Sequence, residues 1–99
     1  MKKRDPLNMF RKYFFRGQAL LIQCEGSETR VFVYKPREDR VRLFIFPSFR
    51  IFSEILSSSS NKFPAIYDLP FGMLFILNEE TMRKFLKNSR KYELLPQPA

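Results

Sequence analysis

The feature that most constrains this fold is the run Met73–Leu77, five apolar residues in a row between Gly72 and Asn78. A strand with one face in water alternates apolar and polar residues, whereas a strand covered on both faces reads as an unbroken apolar run. Full burial of each such side chain stabilises a fold by roughly 1.5–3 kcal/mol. We therefore predict that residues 73–77 form a strand that is covered on both faces and anchors the core.

The preceding part of the chain, residues 19–46, is typical of a three-stranded antiparallel meander. Runs of apolar, β-branched and aromatic residues favour strands, and clusters of Gly, Pro, Asp and Ser favour the turns between them. The strands are expected at Ala19–Cys24, Thr29–Tyr34 and Arg40–Phe46, and the turns at Glu25–Glu28 and Lys35–Asp39.

Two helices are predicted after the meander, each with a capping residue at its start. Ser48 suits the cap of a central helix, and Asn78 suits the cap of a C-terminal helix. Their buried sides are expected to be Ile51, Phe52, Ile55 and Leu56 in the first, and Met82, Phe85 and Leu86 in the second. Residues 57–61 are expected to end the central helix and to begin a loop that holds Pro64 and Pro70 and closes at Gly72.

These elements predict a small single α+β domain over residues 1–99, because a chain of 99 residues supports one core. The domain combines the three-stranded antiparallel meander, the central helix, the further buried strand and the C-terminal helix. Residues 1–17 are expected to be a basic amphipathic helix or arm, residues 18–95 the globular core, and residues 96–99 an irregular tail.

The N-terminal segment carries its own helix signals. Asp5 suits a helix cap, Pro6 the first helical position, and Gly17 the residue after the helix end. A basic arm that leads into such a helix is common in proteins that bind RNA. The candidate binding residues here are Lys2, Lys3, Arg4, Arg11 and Lys12.

The charge balance indicates the class of partner. Eighteen Lys and Arg residues against ten Asp and Glu residues give a formal charge of +8. Such a field attracts phosphates, anionic lipid or an acidic protein face. No transmembrane span is expected, because no window approaches about 18 uncharged apolar residues.

The number of cysteines indicates the cellular compartment of the protein. The single cysteine, Cys24, cannot form an internal disulfide, and its apolar neighbours predict a small buried hydrophobe. The protein is therefore expected to be intracellular, either cytoplasmic or nuclear, with import into an organelle left open.

Catalysis has little support in the sequence. The chain has no His for acid–base chemistry near neutral pH, and Cys24 therefore lacks a histidine partner. The three glycines are isolated, so they form no phosphate-binding loop. We expect a non-enzymatic protein without a cofactor or metal site.

The last two meander strands alternate Arg and aromatic residues with aliphatic ones. A five-residue loop that pairs Tyr34 with Arg40 places the two Arg-aromatic sets on one face. Single-stranded nucleic acid stacks on such faces. The alternative is that the Phe rings are core beneath a helix. The candidate stacking residues are Phe32, Tyr34 and Phe44, and the candidate charges are Arg30 and Arg42.

The last helix carries a second basic cluster opposite its apolar side. Helical spacing of i, i+4 and i+7 is expected to place Arg83, Lys87 and Arg90 on one stripe, with Lys84 and Lys91 beside it. They are candidates for contacts with a phosphate backbone. The alternative is a solvated helix face with Glu79–Arg83 and Glu80–Lys84 pairs. The cluster consists of Arg83, Lys84, Lys87, Arg90 and Lys91.

Short motifs give two partial resemblances. Phe52–Leu56, Pro70–Leu74 and Glu79–Glu80 stand in this order and loosely resemble plant small auxin-up RNA proteins. Leu69–Gly72 is similar to a motif of doublecortin-type ubiquitin-like domains. Both imply an alternative fold, a ubiquitin-like β-grasp used for protein binding. Lys35-Pro36 stands where the first family has Gly and where the second is expected to have an Asn-Gly turn, so the chain is assigned to neither.

The sequence thus predicts a basic binding protein whose first candidate partner is a nucleic acid, either RNA or DNA. The alternative is a small regulatory or inhibitory protein that binds an acidic surface of a protein partner. A subunit of a ribonucleoprotein assembly is the third hypothesis, and a protein bound at an anionic membrane surface is the last.

Overall fold

A six-stranded sheet with two α-helices makes up the computed structural model, which describes residues 18–35, 40–60, 62, 64–70 and 72–94. The helix expected within residues 1–17 and the tail at 96–99 lie outside these residues. The described elements are β1 Gln18–Glu25, β2 Glu28–Lys35, β3 Arg40–Phe46, α1 Phe49–Ser59, β4 Ala65–Leu69, β5 Gly72–Leu77, α2 Glu79–Asn88, a 3₁₀ turn Arg90–Tyr92 and β6 Glu93–Leu94.

The strands form one antiparallel sheet in the order β4-β5-β1-β2-β3-β6. The predicted α+β class is confirmed, and the meander is its β1-β2-β3 part. This set of strands and helices does not decide between the predicted arrangement and the ubiquitin-like β-grasp alternative. Three strands precede α1, and two more strands precede α2, so strands come in groups rather than alternating singly with helices, as is typical of α+β domains.

The loop expected between the central helix and Gly72 is wrong in part, because Ala65–Leu69 forms β4 and pairs with β5. Pro64 and Pro70 flank β4 rather than interrupt it, so neither proline removes a hydrogen bond from within the ladder. Where β5 begins, a Cβ atom on Gly72 would overlap the carbonyl oxygen of Ile22 on β1. Glycine is required there by this close approach, and its φ of 154° also favours glycine.

The strand β5 is buried on both faces, as its unbroken apolar run predicts. Phe75 and Leu77 point to the same side as the two helices, and Leu74 and Ile76 point to the other side. Their exposed fractions are 5%, 3%, 0% and 8%, respectively. This strand therefore contributes to two apolar clusters, one on each face of the sheet.

The helix-side cluster is built largely from phenylalanine rings. Phe85 of α2 lies 5.8 Å from Phe52 of α1, 6.2 Å from Phe46 and 6.3 Å from Phe44, measured between ring centroids. Phe52 also packs edge-on against Phe75 at 5.7 Å. Aromatic pairs at such separations are favourable beyond the area they bury. Both helices are consequently fixed to the sheet through these rings.

The second cluster lies on the opposite face, around Leu21 of β1, which is fully buried. Phe32 and Tyr34 of β2 are half-buried and pack against it. The expectation that Cys24 is buried is wrong, because this residue is exposed near the end of β1. There its Sγ lies 3.9 Å from the Thr29 hydroxyl, directly across the β1–β2 ladder.

Candidate functional site

The register of β2 against β3 differs from the expected one by a single residue. Tyr34 pairs with Val41, and Lys35 pairs with Arg40, so the connection spans four residues rather than five. A shift of one residue moves every side chain of a strand to the other face. The expected Arg-aromatic face is therefore not formed.

The physical reason for this register is the helix-side core. Val31 and Val33 are fully buried there, and the actual register places Phe44 and Phe46 on the same face. Both rings are then buried beneath the helices. In the expected register this face would have been lined with Val41, Leu43 and Ile45 instead. Phe44, a candidate stacking residue, is fully buried and has no ring face open to a base.

Arg42, one of the candidate charges, is bound within the fold. Its Nε donates to Glu93 Oε2 at 2.6 Å, and its Nη2 donates to Glu93 Oε1 at 2.5 Å. Only 21% of the Arg42 side chain and 15% of the Glu93 side chain are exposed. The guanidinium also lies 5.4 Å from the Phe44 ring centroid. This ion pair fastens β6 to β3, and Arg42 is not available to an anionic partner.

Replacing Glu93 by glutamine is expected to lower the free energy of unfolding by about 2 kcal/mol, because it leaves a mostly buried guanidinium without its counter-charge. Chemical unfolding of both proteins measures the difference. Glu54→Gln is the matched control, since Glu54 pairs with Arg50 at 3.0 Å on an exposed helix surface. Its expected loss is about 0.5 kcal/mol or less. Equal losses in the two variants would contradict the structural role of the Arg42–Glu93 pair.

The remaining predicted sheet residues, Arg30, Phe32 and Tyr34, share the face opposite the helices. Arg30 lies 3.5 Å from Glu25 and 3.6 Å from Glu28, and 41% of its side chain is exposed. Its charge is thus offset by two acids at the β1–β2 hairpin. Phe32 and Tyr34 pack against the second apolar cluster. Across the β2–β3 ladder these three residues face the aliphatic residues of β3, not the Arg and Phe residues that were expected.

Three of the five cations predicted for the last helix lie on α2, and Arg90 and Lys91 lie on the 3₁₀ turn that follows it. All five side chains are exposed, while Met82 and Phe85 on the other side of α2 are buried in the helix-side cluster. We call this set the α2 basic surface: Arg83, Lys84, Lys87, Arg90 and Lys91.

Local sequence explains why this helix starts and stops where it does. The Asn78 side chain accepts a hydrogen bond from the Thr81 N–H at 2.7 Å, which caps the first turn as the sequence predicts. At the other end, the Ser89 N–H donates to Phe85 O at 2.9 Å. The Tyr92 N–H then donates to Ser89 O at 2.9 Å. The helix thus ends at Asn88, and a 3₁₀ turn that carries Arg90 and Lys91 follows directly after Ser89.

The α2 basic surface is held firmly to the rest of the protein. The Asn88 amide donates to the Ser59 hydroxyl at 3.2 Å, which joins α2 to α1. The Tyr92 ring packs on Phe46 with 4.9 Å between centroids, and β6 follows directly. Cations on a fixed backbone lose less conformational entropy on binding than cations on a mobile arm.

Few internal acids offset the charges of this surface. Glu80 pairs with Lys84 at 3.3 Å, and both side chains are mostly exposed. Lys91 Nζ lies 5.1 Å from the Tyr92 ring centroid. Within the described part of the chain, Arg83, Lys87 and Arg90 form no ion pair, and the expected Glu79–Arg83 pair is not formed. All three side chains are exposed.

The predicted N-terminal binding residues, Lys2 to Arg4 with Arg11 and Lys12, lie outside the described residues. Within residues 18–94, as far as they are described, no three His, Cys, Asp or Glu side chains gather into a set that could hold a metal ion. Neither α1 nor α2 is long and apolar enough to cross a membrane, and the same applies to the described 3₁₀ turn.

Comparison with known proteins gives no further information on the site. No protein family model, curated protein or solved structure matches this chain. The function is therefore inferred from the chemistry of the α2 basic surface.

Proposed function

We propose that the protein binds the phosphate backbone of a nucleic acid through the α2 basic surface. The observation that supports this proposal most strongly is that Arg83, Lys87 and Arg90 are exposed and have no ion-pair partner among the described residues. Polyanion binding is driven by the counterions that each neutralised phosphate releases. Exposed cations on α2 and on the 3₁₀ turn that follows it, without an ion pair among the described residues, are suited to this mode of binding.

The proposal concerns a binding protein rather than an enzyme. The chain has no His for acid–base chemistry near neutral pH, and the α2 basic surface consists of Arg and Lys side chains, which bind phosphate as charges. Arg83 and Arg90 present planar guanidinium groups that match phosphate oxygens in a bidentate manner. Lys84, Lys87 and Lys91 act as point charges beside them. The expected role of the surface is therefore attachment.

The dependence of affinity on salt tests this proposal. With about four phosphates neutralised on a duplex, the logarithm of affinity should fall with the logarithm of salt with a slope of about −3.6. Affinity should then decrease about a hundredfold between 50 and 200 mM salt. Fluorescence anisotropy of a labelled duplex in a salt series measures this slope. An affinity that is flat over the same range would contradict the proposal.

Arg83→Gln is expected to make that slope shallower by about 0.9, because one phosphate contact is lost. Arg50→Gln is the matched control, since it removes the same charge from an exposed position on α1 that is paired with Glu54. The control slope should stay close to that of the unchanged protein. Equal effects of the two variants would indicate attraction by net charge alone and not by the α2 basic surface.

A second candidate function is binding to an acidic protein surface, and one observation favours it. Leu94 on β6 is 55% exposed and follows the basic segment by only three residues. An exposed apolar residue beside charged ones is common at protein interfaces. Poly-glutamate of matched charge distinguishes the two candidates. Stronger binding to poly-glutamate than to nucleic acid at equal salt would favour the protein partner.

A further inference from the structure

The sheet face opposite the helices is buried at its centre. Leu21 of β1 and Leu74 of β5 are fully buried there. The neighbouring residues Ala19 and Ile76 are only 6% and 8% exposed. In both cases the β1 residue is paired directly with the β5 residue. A sheet face that is open to water leaves its side chains partly exposed, so a second layer has to cover this one.

The covered area is about two strands wide. Burial decreases away from β1 and β5, since Phe32 on β2 and Tyr67 on β4 are only half-buried. At the edge of the same face Leu94, which pairs with Leu43, is 55% exposed. Neighbouring strands lie about 4.8 Å apart, and a helix with its side chains is about 10 Å wide. The fully covered strip is therefore as wide as one helix.

Neither α1 nor α2 supplies this helix, because both pack on the other face. Residues 1–17 are the longest stretch outside the described part of the chain, and they lead directly into β1, one of the two covered strands. Residues 36–39 connect β2 to β3 and are enough for only about one helical turn. Residues 95–99 start from β6, at the exposed edge of this face. Position and length thus favour residues 1–17.

The sequence of this N-terminal segment suits a covering layer. Leu7, Phe10 and Phe14 recur at i, i+3 and i+7, which predicts one apolar side of a helix. A helix of about ten residues is about 15 Å long and is marginal in water unless it packs against something. Gly17 stands directly before β1 and suits the residue after a helix end, where the chain changes direction.

From these observations we infer that the face around Leu21 and Leu74 is the docking site for residues 5–17 of the same chain, whose apolar side packs on β1 and β5. The inference does not depend on the proposed function. It gives the N-terminal rings a role in the core instead of in contacts with a partner. Cations on the outer side of this helix, such as Lys12, then lie across the sheet from the α2 basic surface. The two predicted groups of cations therefore form separate surfaces.

Nuclear Overhauser effects (NOEs) in the full-length protein test this inference without any substitution. We expect NOEs between the methyl groups of Leu21 and Leu74 and the rings of Phe10 and Phe14. A sample that mixes isotope-labelled and unlabelled chains separates contacts within one chain from contacts between chains. NOEs found only between chains would overturn the inference in favour of a second copy. The lack of any NOE from these methyl groups to residues 5–17 would also overturn it.

Phe14→Ala is expected to raise the equilibrium constant of unfolding about a hundredfold, because loss of a ring between two layers leaves a cavity. Phe15→Ala is the matched control, since the same change is made about 100° further round the helix, away from the apolar side. Its expected effect is less than tenfold. Urea unfolding followed by circular dichroism measures both constants. Equal effects would contradict the inferred packing, and the NOE experiment decides the matter if Phe14→Ala does not fold.

Discussion

Replacing Phe85 by alanine is expected to lower the free energy of unfolding by about 4 kcal/mol. This ring is fully buried between α2 and the sheet and lies near Phe44, Phe46 and Phe52. Its removal leaves a cavity at the point where both helices meet β3, and well-packed rings collapse only partly into such a space. Urea unfolding followed by circular dichroism measures the loss.

Leu86→Ala is the matched control for this prediction. Leu86 is the next residue on α2, it is only partly buried, and leucine and alanine are both good helix formers. Its expected loss is about 1–2 kcal/mol, since less apolar surface leaves contact. If the two variants lost equal stability, the phenylalanine cluster would not be the main attachment of α2.

Replacing Arg83, Lys87 and Arg90 together by glutamine is expected to lower duplex affinity about 500-fold at 0.1 M salt. Each lost phosphate contact makes the slope of log affinity against log salt shallower by about 0.9. Because the logarithm of 0.1 M salt is −1, each lost contact lowers log affinity by about 0.9 at this concentration. All three side chains are exposed, so the fold should change little in stability. Anisotropy titration of a labelled duplex measures the affinity, and circular dichroism confirms that the variant is folded.

The control variant removes three charges from other parts of the surface, with Arg30, Arg50 and Lys62 replaced by glutamine. Arg30 and Arg50 are paired with acids, and Lys62 lies beyond the end of α1. Net charge falls by the same amount in both variants. We expect less than a tenfold loss of affinity in the control, because long-range attraction is partly screened at this salt concentration. A comparable loss in both variants would mean that the location of the cations is unimportant.

Local sequence patterns predicted much of this fold because they act over a few residues. The caps at Ser48 and Asn78 accept hydrogen bonds from Ile51 and Thr81 as expected, and the run at Met73–Leu77 is buried on both faces as its pattern indicates. Each depends on the nearest neighbours along the chain. The α2 basic surface was predictable for the same reason, since helical spacing and an apolar opposite side place its cations in solvent.

The parts that local patterns did not predict depend on long-range pairing. The β2–β3 register follows from which residues fill the core beneath the helices. A difference of one residue in the loop moves every side chain of β3 to the other face of the sheet. The Arg42–Glu93 ion pair joins residues that are 51 positions apart. Glu93 lies on β6, which has only two residues and therefore no readable periodicity. No signal in the sequence marks this acid as the partner of Arg42.

The central claim is tested most directly by mapping amide chemical shifts of the labelled protein with and without a duplex. The duplex should have about 16 base pairs, the length that double-stranded RNA-binding domains span. The account predicts that the changes concentrate on Arg83 to Tyr92, at the exposed side of α2 and its 3₁₀ turn, and that they diminish as salt is raised. Changes centred on Arg30 to Tyr34, on the face opposite the helices, would contradict it.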